Sequence, residues 1–144
     1  MSTCTFFGHR NVMANIEDAL QSTIIDLIEN HGVDRFYVGN QGNFDSIVRK
    51  MLEKLAKQYP FQYAIVLAYM PKEKAALDDL SSNMLLPEGI EFVPRRFAIS
   101  WRNKWMIEQS DYVVTYITNT IGSGAAQFKE LAERKKKIVI NLGK

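Results

Sequence analysis

Short runs of β-favouring residues alternate with amphipathic helical stretches along the whole chain, and few architectures tolerate that order. Thr3 to Phe7 is a strand-like run that stops at Gly8. Ile16, Ala19, Leu20, Thr23, Ile24, Leu27 and Ile28 then recur at helical spacing, with Asn15 placed as N-cap and Gly32 as terminator. Arg35 to Val38 reads as the second strand. Phe44, Ile47, Val48, Met51, Leu52 and Leu55 draw the stripe of a second helix that must end before Pro60. Tyr63 to Leu67 is a third strand, Pro71 to Pro87 has room for a short helix only, and Ile90 to Val93 is expected as a short fourth strand. A helix from about Ala98 to Gln109, a strand over Tyr112 to Tyr116, a turn-rich stretch from Thr118 to Gly124, a helix with Phe128, Leu131 and Ala132 inward, and a strand over Ile138 to Leu142 complete the series. Parallel strands need crossover connections, and right-handed crossovers put helices on both faces. The expected fold is therefore α/β, a Rossmann-like three-layer sandwich with a mainly parallel sheet of five or six strands.

With 144 residues and 47% hydrophobic content, one domain over residues 1–144 is expected. Its 18 Lys and Arg against 16 Asp and Glu leave a net charge of +2, too little to hold nucleic acid or an anionic membrane by bulk electrostatics. Cys4, the one cysteine, has no intramolecular disulfide partner, and no basic segment followed by an apolar run opens the chain, so a reducing cytoplasmic setting is expected. No apolar stretch approaches the roughly 20 residues of a membrane helix.

In parallel α/β sheets ligands bind outside the carboxyl ends of the strands. The loops there are Gly8-His9-Arg10 after strand one, Gly39-Asn40-Gln41-Gly42-Asn43-Phe44-Asp45 after strand two, and Asn119 to Gly124 after strand five; five of the eight glycines lie in them. Glycines beside helix N-termini can form a phosphate cradle, or simply tight turns. There is no Gly-x-Gly-x-x-Gly after strand one and no Gly-Lys-Ser/Thr, which removes ordinary dinucleotide and Walker-type readings. Gly122-Ser123-Gly124, opening a helix, is the best anion candidate. Arg102 falls on the inward stripe of its helix and needs an anion, either a structural carboxylate such as Asp111 or a ligand phosphate or carboxylate. Asn103 beside it suits a base or ribose edge, or an exposed helical position. His9 either donates to a ligand oxygen or steadies its turn, and His31 caps a helix C-terminus. One cysteine and two distant histidines give no zinc site, and no nucleophile elbow surrounds Ser123. Trp101 and Trp105, four residues apart, are placed to stack on each other at the core edge or in a subunit interface. The Arg134 to Lys137 run suits a helix C-terminus and its solvent face.

Phe7-Gly8-His9-Arg10, Arg102-Asn103-Lys104-Trp105-Met106, Ser110-Asp111-Tyr112-Val113-Val114, Gly122-Ser123-Gly124 and Ala132 together resemble the YpsA-like branch of the SLOG superfamily over nearly the whole chain. Proteins of that superfamily are Rossmann-like and include the LOG phosphoribohydrolases, the DNA-processing Smf/DprA proteins and sensor domains for nucleotide-derived signals. The resemblance implies a nucleotide or nucleotide-derived small molecule as partner and a possible homodimer or higher homo-oligomer; no cofactor is expected. On a binding reading, phosphate would lie on Gly122 to Gly124 and Arg102, and base or ribose would meet Asn40, Asn43, Phe44 and Tyr69. LOG enzymes resemble one another in a Gly-Gly-x-Gly-Thr-x-x-Glu turn, and here Ala125 stands at the threonine and Phe128 at the glutamate. Glu130 is no substitute, since two residues along a helix is about 200° of rotation. The expectation is thus a binding module: a sensor, carrier or sequestering protein. The alternative is a nucleotide N-glycosidase that uses Asp45 in place of the missing glutamate. DprA-like DNA binding is disfavoured by the low net charge and by the absence of an interleaved basic and aromatic stripe.

Overall fold

The computed structural model describes residues 2–12, 15–69, 83–118 and 124–143. Within them six strands, β1 (Ser2–Gly8), β2 (Val33–Val38), β3 (Gln62–Val66), β4 (Met84–Leu85), β5 (Tyr112–Tyr116) and β6 (Ile138–Asn141), make one sheet of order β4-β3-β2-β1-β5-β6. Every pairing is parallel. The described helices are α1 (Glu17–His31), α2 (Gly42–Leu55), α3 (Arg95–Gln109) and α4 (Gly124–Arg134).

Successive strand residues point to opposite faces, and here both faces are covered. Phe6, Phe36, Val38 and Val114 pack with Leu20, Ile24, Leu27, Phe44, Val48 and Leu52 of α1 and α2. Their neighbours Phe7, Tyr37 and Val113 pack with Met106, Ile107 and Ala132 of α3 and α4 on the other side. This double burial is why the strands read as nearly unbroken apolar runs. Each fully buried side chain such as Phe6 contributes about 1.5–3 kcal/mol.

The ends of α1 follow local chemistry. Asn15 Oδ1 accepts the Glu17 N–H at 3.1 Å, one residue ahead of the helix's own N-cap, Ile16. Gly32 closes the helix with φ 68° while donating to the Leu27 carbonyl. The fourth strand differs from expectation. Ile90–Phe92 is a 3-10 turn: Pro87 O accepts the Ile90 N–H at 3.2 Å and Ile90 O accepts the Val93 N–H at 3.0 Å, so local bonds replace a ladder. The pairing falls instead to Met84–Leu85, inside the stretch expected to hold only a short helix, most of which lies outside the described residues.

From β1 the chain steps outward through β2, β3 and β4, then returns to the far side of β1 for β5 and β6. The connections leaving β1 and β5 therefore diverge, and a crevice opens between them at the carboxyl ends of the strands. Among the described residues no helix is long and apolar enough to cross a membrane.

Candidate functional site

A cavity of about 560 Å³ occupies this switch point. Gly8, His9 and Arg10 reach it from β1, Gln41 and Asp45 from the start of α2, Ile99, Arg102, Asn103 and Met106 from α3, Thr118 from beyond β5, and Gly124, Ala125 and Phe128 from α4.

Its chemistry centres on Arg102, a cation only 2% exposed. Asn103 Oδ1 accepts from Nε at 2.9 Å, while Val66 O and Asn40 Oδ1 accept from Nη1 at 3.1 and 3.3 Å. All three acceptors are neutral. Nη2 has no acceptor among the described residues, and no buried side-chain nitrogen or oxygen there lacks a partner, so that edge of the guanidinium is the one open to the cavity. Burial pulls the Arg102 pKa down, against the attraction of Asp45 and Tyr69. Asp111, one candidate structural partner, instead accepts the Thr3 N–H at 3.1 Å.

Asp45 supplies the carboxylate of the site. It turns back over the first turn of α2, where its Oδ2 accepts the Gln41 N–H at 2.9 Å, much as a capping box closes a helix. Burial raises its pKa to about 6, against the Gln41 hydrogen bond and the charges of Arg102, Arg49 and Arg10. Gly39 makes room for both groups, because a Cβ there would lie 2.9 Å from Arg102 Nη1 and 2.9 Å from Asp45 Oδ2.

Two contacts tie the loops together. His9 Nε2 accepts the Thr118 N–H at 2.9 Å, and the His9 N–H donates to Tyr116 O at 3.1 Å, joining the ends of β1 and β5. Arg10 O accepts the Asn43 N–H at 2.8 Å, and Gly42, at φ 86°, passes so close that its Cβ would lie 3.0 Å from Arg10 Cα.

Gly8, His9, Arg10, Asp45, Arg102, Asn103 and Gly124 thus share one cavity, with Gly39 and Asn40 supporting it from behind. Gly42 and Asn43 shape the adjoining loop without lining the cavity. Phe44, expected beside a base or ribose, is 1% exposed and packs beneath Gly8 and against Tyr116. Tyr69 also stays off the cavity wall, its ring 4.2 Å beneath the Arg95 guanidinium. Gly122 and Ser123 lie outside the described residues. Trp105 packs on Tyr37 at 5.3 Å, and no Trp101–Trp105 ring contact occurs among the described residues. Phe128, at the position of the LOG-type glutamate, stacks on Phe7 at 5.6 Å, and Glu130 is exposed. Among the described residues no three His, Cys, Asp or Glu side chains are grouped to hold a metal ion.

Sequence reasoning missed Gln41, Thr118 and Asn141. Asn141 Oδ1 accepts from Thr115 Oγ1, the Ile117 N–H and the Gly143 N–H at 3.0, 3.0 and 3.1 Å, fixing the end of β5. The available signal was one amide in an otherwise apolar last strand.

This arrangement has a solved counterpart at the level of the fold: DNA processing protein A (DprA) from Streptococcus pneumoniae aligns with a TM-score of 0.69 over 98% of this chain. The fold is shared with DprA. At 14% identity the likeness to DprA speaks to architecture alone, and this chain spans half the length of that DprA chain. No family model and no curated protein matches the sequence.

Proposed function

We propose that this chain binds a nucleotide or nucleotide-derived small molecule in the crevice, as a SLOG-type sensor, carrier or sequestering domain of the YpsA-like branch. The observation that carries the reading is Arg102: a buried guanidinium held by neutral oxygens, with one edge left toward the cavity. Asp45 acts on the guanidinium only across space, and keeping a cation buried with no anion in direct contact is costly; an anionic ligand arriving at that edge offsets the cost. The helix terminus at Gly124 adds positive potential from the other side. A cavity of about 560 Å³ lies within the range of small-molecule sites. The sequence motifs and the shared DprA fold support the superfamily reading.

Mass spectrometry of small molecules released from the purified protein, followed by calorimetry with nucleoside monophosphates, tests the reading. Arg102→Ala is expected to weaken binding about ten- to a hundredfold, the worth of a charge-assisted contact. Equal affinity in the variant and the parent protein overturns it.

One observation favours a second reading, nucleotide N-glycosidase activity. Asp45 lines the cavity with a pKa of about 6, suited to a general acid. Phe128 argues against it, because no carboxylate takes the LOG-type position.

A further inference from the structure

Arg95 stands apart from the other cations around the crevice. Its guanidinium carbon sits over the Tyr69 ring, 4.2 Å from the centroid, and among the described residues it has neither a hydrogen bond nor an ion pair. Stacking orients the guanidinium through its face and leaves the donors on its edges free for oxygen ligands. Tyr69 carries Arg95 on its ring. The helix supplies the alignment. Arg95, Ile99 and Arg102 are spaced i, i+4 and i+7 on one face of α3, and Ile99 and Arg102 both line the cavity. Seven residues put the two arginines roughly 10 Å apart along the axis.

We infer that a second anion subsite, formed by Arg95 on Tyr69, lies beyond the cavity along α3, so that the ligand carries two phosphate groups separated by a ribose. The inference rests on the binding function proposed above and narrows its ligand class. Two adjacent phosphates of a pyrophosphate would both fall at Arg102. A ribose carrying both phosphates spreads them further than a pyrophosphate does, and the long arginine side chains cover the rest of the gap.

The test is calorimetry with three probes, adenosine 5′-monophosphate, adenosine 5′-diphosphate and adenosine 3′,5′-bisphosphate, on the full chain and on Arg95→Gln, Arg96→Gln and Arg102→Gln. Arg96 is the control: it is exposed like Arg95, but it sits over Phe97 at 4.8 Å and on a different side of the helix. The bisphosphate is expected to bind about tenfold more tightly than the monophosphate, the gain of one charge-assisted contact. Arg95→Gln should abolish that gain and leave monophosphate affinity unchanged. Arg96→Gln should keep it, the diphosphate should not show it, and Arg102→Gln should weaken all three probes. Tyr69→Leu, which removes the platform and keeps the charge, should likewise lose the bisphosphate's gain over the monophosphate. The subsite is overturned if the gain survives Arg95→Gln, if Arg96→Gln removes it equally, or if the diphosphate gains as much. In each of those cases monophosphate binding through Arg102 still stands. If no probe binds the parent protein, the binding reading itself falls and the subsite falls with it.

Discussion

Over Gly39, Asp45 and Arg102 place opposite demands on one buried volume. The carboxyl resists ionisation, with its pKa raised from 3.8 to about 6 chiefly by burial, while the guanidinium stays charged and needs a negative neighbour. The sign of the linkage follows. Between pH 4 and pH 6 the folded protein holds a proton that the unfolded chain has lost, so this group's stabilising contribution is complete below pH 3.8 and is lost as pH rises through about 6. The shift corresponds to about 3 kcal/mol. Asp45→Asn should therefore gain stability relative to the parent protein by up to about that amount between pH 3.5 and pH 7. Denaturant melts across that range check it, and a constant difference between the two proteins contradicts it. Gly39→Ala pushes a methyl group into both functional groups, and is expected to cost about 1–3 kcal/mol and to weaken nucleotide binding as Arg102 shifts. A thermal melt paired with calorimetry reads both effects.

The start of α4 and the end of β6 differ in what a substitution should do. At the start of α4, a Cβ on Gly124 meets no described residue within 4 Å, so Gly124→Asp has room among them. It places a negative charge at the helix terminus beside the cavity. Phosphate-containing ligands should bind about tenfold more weakly, while stability stays within about 0.5 kcal/mol. Unchanged affinity would mark the turn as structural only. At the end of β6, Asn141 has the converse profile. Its side chain makes four hydrogen bonds, three to Thr115 and Ile117 at the end of β5 and one accepted from the nearby Gly143 N–H. Asn141→Leu leaves those groups without partners and should cost about 2 kcal/mol. Faster amide exchange at Ile117 and Gly143 would localise the loss to the end of β5.

The whole molecule places its crevice by topology. Strand order reverses between β1 and β5, so residues far apart in sequence converge there: His9 with Thr118, and Arg102 with Asn40 and Val66. An acid at the LOG-type position would make that crevice a candidate hydrolase, but Phe128 stacks on Phe7 instead. Nucleoside monophosphates are therefore expected to persist when incubated with the protein. Release of free base at about 1 per second or faster, an ordinary enzyme rate, and its loss in Asp45→Asn, would establish the N-glycosidase reading.

Periodicity made the alternating elements, the parallel sheet and the loops at its carboxyl ends legible, because strand and helix patterns arise from neighbours in sequence. Arg102 stood out for the same reason, as a charge on an apolar helical stripe. The 3-10 turn at Ile90–Phe92 was not legible: those residues favour strands, and only the bonds back to Pro87 and Gly89 turn them. Phe44 shows the limit most plainly, since its place in a glycine-rich loop marked it for a ligand while the ring packs beneath Gly8. Which carboxylate faces Arg102 was likewise decided by the tertiary structure. Asp111 is only nine residues from Arg102 in sequence, but it ends beside Thr3, whereas Asp45 arrives over Gly39 because β2 lies next to β1. Local pattern specifies which elements form; only packing in three dimensions specifies which side chains share a cavity.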